Sequence, residues 1–474
     1  MTAAVLTSVS PADPEDRIGD FEVADASAVA EAVARARAAF PGWRDAGLEA
    51  RARVLRRFAE LAAGRADELA SLISREVGKA IWDARSEALL LAPKVAVTLG
   101  DGLRLVAPFA PAAGQRATFR PRGVLAVYGP FNFPAHLPNG HIVPALATGN
   151  TVVFKPSELA PAVGAWMAER WREAGLPPGV LEIVQGGPDT GRALAADPEA
   201  DGILFTGSYA TGRALREATL DQPWKILALE MGGSNAVIVC DDADLDLAVA
   251  ESAVSIAVTT GQRCSCARRL FVDRRVIEPF VERLARVLGG LRVGPPRDPG
   301  VFMGPLVSLS AHRKLEQMRA RAEEAGGERM QVAQPALPPP YTGAGLVRFA
   351  DTRQTHPYQR EETFGPEAAV YPVEDLDAAI AGANDSDYGL AAAVFTRDRG
   401  RFEHCVGRVE TGVLNWNQGT VGASGRLPFG GTGRSGNDRP AAVTATLYCT
   451  VAQAHLESEA GFDPAKLPPG VPKP

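Results

Sequence analysis

The chain has 474 residues, enough for two to four domains. With 46 % apolar and 22 % charged residues and a net charge of -6, it reads as a soluble globular protein, which argues against nucleic acid and anionic membrane as main partners. No apolar run reaches the roughly 18 residues a membrane span needs, and the run at 88–97 is broken by Lys94.

Residues 1–10 lack a basic region ahead of an apolar one, so no signal peptide is expected. Cysteines at 240, 264, 266, 405 and 449 form an odd, sparse set that suits free thiols in a reducing cytoplasm. Residues 1–20 are polar, without clear period, and are expected on the surface. Asp25 and Ser27 can cap a helix carrying Val29, Val33, Ala36 and Phe40 at helical spacing. Helices are predicted over about 47–64 and 66–75, and another over about 80–104 with Leu89, Leu90, Leu91 and Val95 on its buried side. Residues 111–122 read as a loop leading to an extended arm.

Strands and helices then alternate. Apolar strands are predicted at 123–128, 150–154, 180–184, 202–205, 226–229 and 235–240, with a helix over about 243–258 before the Gly261-Gln262 turn. That alternation predicts a parallel sheet covered on both faces. A second unit repeats the pattern with strands at 269–272, 368–372, 391–395 and 412–415, and helices at about 274–289 and 375–384. Pro- and Gly-rich segments at 294–305 and 332–345 read as loops. The tail at 442–455 reads as β-rich, able to pair with the arm near 115–122 or with another subunit, and the Pro-rich end reads as loose or partner-clasping.

Cys264 follows the Gly261-Gln262 turn, with Arg263 as its neighbour. A thiol attacks as thiolate, and turn amides and Arg263 are suited to favour that form. The competing reading is a buried structural cysteine. Cys266 lies two residues on, but no second soft pair stands at zinc-like spacing, so no metal is expected. Glu230 ends an apolar strand, where open α/β sheets place their chemistry, and a carboxylate there can activate water. A salt-bridged strand end is the alternative.

Gly207-Ser208-Tyr209-Ala210-Thr211-Gly212 lies between a strand and a helix and is suited to a pyrophosphate, though the Gly-x-Gly-x-x-Gly fingerprint is absent. Lys155 and Glu158, after another strand, are suited to the hydroxyls of an adenosine ribose. A carboxylate there would repel a 2′-phosphate, favouring NAD over NADP. Asn132, in Phe131-Asn-Phe-Pro134, can donate to an oxyanion. His136 and His141 nearby read as structural. Glu362 and Phe364 can present a carboxylate and an aromatic ring to a cofactor. Each of these segments alone has a plain turn or surface ion pair as its rival.

The ordered set resembles the aldehyde dehydrogenase superfamily over about 25–455: Phe-Asn132-Phe-Pro, Lys155 and Glu158, Phe205-Thr-Gly-Ser208, Leu-Glu230-Met-Gly-Gly, Gly-Gln-Arg-Cys264, Glu362 and Phe364, and Pro428-Phe-Gly-Gly431. The resemblance implies an α/β fold in three parts: a dinucleotide-binding domain at 1–111 and 123–230, a catalytic α/β domain at 231–425, and a β oligomerisation arm and tail at 112–122 and 426–474. It implies an NAD-dependent enzyme in which Cys264 attacks an aldehyde, Asn132 steadies the oxyanion and Glu230 activates the hydrolytic water. Lys155, Glu158, Gly207, Ser208, Gly212, Glu362 and Phe364 would bind NAD. A homodimer or homotetramer is the implied assembly.

A narrower resemblance is to the branch of that family acting on succinylglutamate semialdehyde in bacterial arginine breakdown. It rests on Tyr128-Gly-Pro-Phe-Asn-Phe-Pro-Ala-His-Leu-Pro-Asn-Gly-His-Ile-Val-Pro144, Cys264-Ser-Cys-Ala-Arg-Arg269, Leu414-Asn-Trp-Asn417 and Gly436-Asn-Asp-Arg-Pro440. The chain departs from it at its amino terminus, at Gln418 and in the loop Ala423-Ser-Gly-Arg-Leu427. Arg120, Arg263 and Arg426 are candidate partners for substrate carboxylates, and Gly140 for leaving room in the tunnel. The competing readings are oxidation of another acidic or aliphatic aldehyde, a catalytically silent protein on this fold, and a CoA-acylating enzyme.

Overall fold

The computed structural model describes residues 4–352, 357–459 and 461–474. Two parallel-rich sheets and one antiparallel arm organise it. The first sheet has five parallel strands in the spatial order Leu181–Ile183, Thr151–Lys155, Val124–Tyr128, Gly202–Thr206, Ile226–Glu230. The chain direction of travel reverses between Val124–Tyr128 and Gly202–Thr206. A crevice outside the carboxyl ends of such strands is where doubly wound sheets bind ligands.

Central strands such as Val124–Tyr128 are buried at every position, because helices cover both faces. On one face, Val29 and Val33 of helix Ala26–Asp45 pack with Val153 and Ile203. On the other, Phe58, Phe154 and Trp171 share a core with Ile142 and Leu146. Asp25 caps the Ala26–Asp45 helix through Ala28 N.

The second sheet has seven strands, ordered Glu328–Arg329, Gly345–Arg348, Glu367–Val373, Ala267–Asp273, Asn235–Val239, Ala391–Phe395, Val413–Trp416, all parallel beyond the first pair. The third is an antiparallel arm, Thr450–Leu456 beside Gln115–Pro121 beside Phe109–Ala112. The tail therefore pairs with the arm of its own chain.

Several expectations need correction. Residues 1–20 are not patternless: Val5–Val9 and Arg17–Glu22 form a hairpin. The helix expected over about 80–104 breaks into Ile81–Leu89, Leu91–Val97 and a π-helical turn Thr98–Gly102. Leu89 and Leu90 are 50 % and 42 % exposed, while Leu91 and Val95 are buried. Three consecutive leucines cannot share one face at about 100° per residue. The helices Leu309–Glu324 and Arg399–Cys405 went unseen beneath their charge. Within 442–455, Ala445–Tyr448 is a helical turn, and the strand begins only at Thr450.

Candidate active site

Cys264 owes its place to a strained turn. Thr259 and Thr260 hold φ of 55° and 53°, and Gly261 follows at 67°. β-branched residues reach that region only under constraint, and here the constraints are visible. Thr259 Oγ1 donates to Asp83 at 2.5 Å and Thr260 Oγ1 to the Gly304 carbonyl at 3.0 Å. Val307 N donates to Gln262 Oε1 at 3.0 Å. The buried Arg268 guanidinium donates to the carbonyls of Gly261 and Gly365. A Cβ on Gly261 would overlap the Gly365 backbone, so only glycine fits. Past the turn, Asn235 Nδ2 donates to the Cys264 carbonyl at 2.7 Å.

The Cys264 thiol is half-buried and pushed up to about 12, first by burial and then by the charges of Glu362, Glu230 and Cys266; Arg263 opposes this only weakly. Burial thus outweighs the thiolate-favouring pull of Arg263 expected from the sequence. Arg263 is engaged elsewhere, 2.6 Å from the buried Asp83 carboxylate.

Asn132 is 5 % exposed, and its Nδ2 donates to the Gln262 carbonyl at 2.8 Å, which ties it to the turn carrying Cys264. The neighbouring Phe133 ring meets two cations, Lys79 Nζ 3.7 Å and the Arg263 guanidinium 4.8 Å from its centroid. Glu87 completes the support. Its Oε1 accepts from Ala135 N at 2.9 Å and His136 N at 3.1 Å, and its Oε2 accepts from Lys79 at 2.6 Å. Sequence reasoning missed Lys79, Asp83 and Glu87. The signal was present: Asp83 and Glu87 are four apart, beside Ala84 and Ala88, on the face of Ile81–Leu89 that is buried. His136 is pushed down to about 4 and His141 to about 3 by burial and nearby cations, which suits neutral structural groups. His141 bridges the Tyr448 and Thr206 hydroxyls at 2.9 and 3.2 Å.

Glu230 stands at the carboxyl end of strand Ile226–Glu230, 5 % exposed. Burial raises its carboxyl well above the usual range, the Ala441 N–H opposing. One of its oxygens has no hydrogen-bond partner, and among the described residues no cation pairs with it, so the salt-bridged alternative fails. It borders a cleft lined also by Pro428, Gly430, Gly436, Asn437 and Pro440. Its own carbonyl accepts from Gly207 N at 3.0 Å. Ser208 caps helix Tyr209–Glu217 through Thr211 N, and Gly212 lies so close to Met231 that a Cβ would stand 2.5 Å from its sulfur.

Glu362 accepts from Gly233 N at 3.0 Å and covers Gly232, where a Cβ would overlap its carboxylate; burial pushes it up to about 7. Phe364 meets Phe131 edge-on at 5.8 Å. Lys155 is buried, donates to the Pro156 carbonyl at 3.1 Å and lies 3.7 Å from the half-exposed Glu158 carboxylate. Desolvation lowers the Lys155 amine.

Of the three arginines, Arg120 lies exposed on the arm opposite Val451, and Arg426 is exposed 3.5 Å from Asp101. Arg263 is paired with Asp83 through Nη2 and with the Thr259 hydroxyl through Nε. A Cβ on Gly140 would meet nothing within 4 Å. Among the described residues no cluster suits a metal ion, and no helix is long and apolar enough to cross a membrane.

The chain belongs to the aldehyde dehydrogenase family, whose model matches residues 2–454. It is 43 % identical over 475 aligned residues to the N-succinylglutamate 5-semialdehyde dehydrogenase of Burkholderia thailandensis, covering 98 % of this chain and 96 % of that one. Among solved structures, it is similar to the 1-pyrroline-5-carboxylate dehydrogenase from Thermus with bound NAD (TM-score 0.90, 31 % identity, 96 % and 90 % covered). An NADP-dependent enzyme of E. coli is equally similar (TM-score 0.90, 31 % identity, 95 % and 94 % covered).

Proposed function

We propose that the protein oxidises N-succinyl-L-glutamate 5-semialdehyde to N-succinyl-L-glutamate with NAD, in arginine catabolism in the cytoplasm. The reaction is R-CHO + NAD⁺ + H₂O to R-COO⁻ + NADH + 2 H⁺. The observation that carries the chemistry is the direct tie of the Asn132 amide to the turn that presents Cys264.

The Cys264 thiol gives up its proton to solvent, one of the two released overall, and the Sγ thiolate attacks the aldehyde carbon. The oxyanion takes hydrogen bonds from Asn132 Nδ2 and the Cys264 backbone amide, each such donor contributing about 3–4 kcal/mol to catalysis. Bound NAD⁺ supplies the hydride acceptor. Glu230 then takes a proton from the water that opens the Cys264 thioester. Burial, which raises its carboxyl, makes the carboxylate a stronger base than an exposed one.

The cradle fits a dinucleotide. Lys155 has donors left over beyond Pro156, the capped turn Gly207-Ser208 opens helix Tyr209–Glu217, and Gly212 keeps that helix against Met231. Glu362 and Phe364 would face the nicotinamide half. Glu158 beside Lys155 disfavours a 2′-phosphate, so NAD is preferred over NADP.

In this reading 1–111 and 123–230 form the NAD-binding domain, 231–425 the catalytic domain, and 112–122 with 426–474 the oligomerisation arm and tail. Leu456, 87 % exposed, and Phe109, 57 % exposed, lie on the arm's two outer strands, which supports a homodimer or homotetramer. The assigning experiment compares kcat/KM for succinylglutamate semialdehyde with succinate semialdehyde, glutamate semialdehyde and simple aldehydes. Preference for the first is expected. No preference would move the assignment to another semialdehyde.

A further inference from the structure

Strand Ile226–Glu230 is the outer strand of its sheet, with one edge left without a strand neighbour. An edge that carries a reacting group needs something to fix it. The chain fixes it with residues 435–437, more than two hundred positions away in sequence. Leu229 N donates to Asn437 Oδ1 at 2.9 Å, and Asn437 Nδ2 donates to the Leu227 carbonyl at 2.8 Å. One side-chain amide thus replaces the peptide group of a missing strand, giving a donor and an acceptor in the same plane. The neighbouring residues extend the contact. Met231 N donates to the Ser435 carbonyl at 2.9 Å, and Ser435 Oγ donates to the Gly232 carbonyl at 2.7 Å. Glu230 itself bridges Gly436, where a Cβ would stand 2.5 Å from the Gly431 carbonyl.

We propose that Asn437 is a positioning residue for Glu230, the Leu227–Asn437–Leu229 amide clamp holding the strand end so that its carboxylate meets the acylated Cys264 through one water. The inference rests on Glu230 being the water-activating base. The clamp acts on one half of the reaction only. Asn132 and Cys264 are joined through Gln262, and that joint shares no hydrogen bond with residues 435–437. Glu230's peptide is fixed on its other side by Gly207 N; loss of the clamp leaves the Met231–Ser435 bond but frees Leu227 and Leu229 along the outer edge. A misplacement of about 1 Å at a reacting group costs on the order of 100-fold in rate. Asn437 also borders the cleft that reaches the Glu230 carboxylate.

The test uses the full-length enzyme with Asn437→Ala and Asn437→Asp. The aspartate keeps an acceptor for Leu229 N and loses the donor to Leu227. Stopped-flow absorbance reads NADH formed in the first turnover, and rapid quench with mass spectrometry reads the lifetime of the acyl group on Cys264. First-turnover NADH formation is expected within about threefold of wild type, with acyl-enzyme decay slowed on the order of 10- to 100-fold, Asp less than Ala. The proposal is overturned if acyl-enzyme decays at the wild-type rate in both variants. It is equally overturned if both steps slow together, which is what a merely structural residue would do. Should the alanine variant fail to fold, the aspartate variant decides on the same two readouts. Wild-type enzyme that never acylates Cys264 would refute the underlying catalytic reading instead.

Discussion

The thiol at Cys264 offers the sharpest prediction, because its surroundings oppose what a nucleophile needs. Burial and three neighbouring acidic groups move it from an ordinary 9.0 to about 12. At pH 8 the thiolate fraction then falls about a thousandfold below that of an ordinary thiol, since each unit is tenfold. A more basic thiolate is also a better nucleophile. A Brønsted slope of about 0.4–0.5 over three units returns about 15- to 30-fold. Alkylation of ligand-free Cys264 by iodoacetamide at pH 8 should therefore run about 30- to 60-fold slower than that of a small free thiol. The rate should rise about tenfold per pH unit beyond pH 9.

Glu362 gives a second handle on the same site. Of the charges that raise the thiol its effect is the largest, and burial pushes its own carboxyl up to about 7. Glu362→Gln should accelerate alkylation above pH 7, where the native carboxylate is charged. Below pH 7 it should change little, the native group being protonated already. Peptide mass spectrometry following the Cys264 peptide gives both profiles. A rate that reaches its plateau below pH 9 in the ligand-free enzyme would refute the electrostatic reasoning.

Three further outcomes follow from particular contacts. Asn132→Ala removes a donor aimed at the Cys264 turn; kcat should fall about 100- to 1000-fold with fold retained, and a loss under threefold would contradict the oxyanion role. Lys79→Met strands the fully buried Glu87 carboxylate and should cost about 3–5 kcal/mol, read from urea midpoints. Adding Glu87→Gln should recover part of that loss, and an equal or greater loss in the double variant would count against it. His141, pushed down to about 3 in the fold against 6.5 when unfolded, stays neutral; its contribution is full above pH 6.5 and lost as pH falls below it. By pH 5.5 this costs about 1.4 kcal/mol, so His141→Gln should flatten the fall in stability between pH 7.5 and 5.5 by that amount. An unchanged slope would remove His141 from the acid response.

The sequence made the strand–helix alternation legible because the central strands of both sheets are buried on both faces, so strands such as Val124–Tyr128 and Ala391–Phe395 are uninterrupted apolar runs. Glu230 was visible as the acid ending such a run, and Cys264 and Asn132 were visible through the turns around them. The supports of those residues were not. Asp83 and Lys79 act across 180 and 54 positions on Arg263 and Phe133, and nothing local marks such pairings. Asn437 stands in a Gly-Asn-Asp-Arg-Pro segment whose sequence carries no sign that it borders strand Ile226–Glu230. The hairpin Val5–Val9 with Arg17–Glu22 escaped because both strands are largely exposed and the polarity of the first is inverted, Ser8 being buried while Val5 and Val9 face out. Helix Leu309–Glu324 escaped because it buries only Leu315, Met318, Arg319 and Ala322.

All of the chemistry proposed depends on the Cys264 sulfur bearing the acyl group in mid-reaction. The most direct measurement is mass spectrometry of enzyme quenched during turnover with succinylglutamate semialdehyde and NAD⁺. The peptide containing Cys264 should carry the mass of the product acid less one water, and the adduct should persist longer in Glu230→Gln. An unmodified Cys264 peptide at every quench time, or full turnover in Cys264→Ala, would contradict the account.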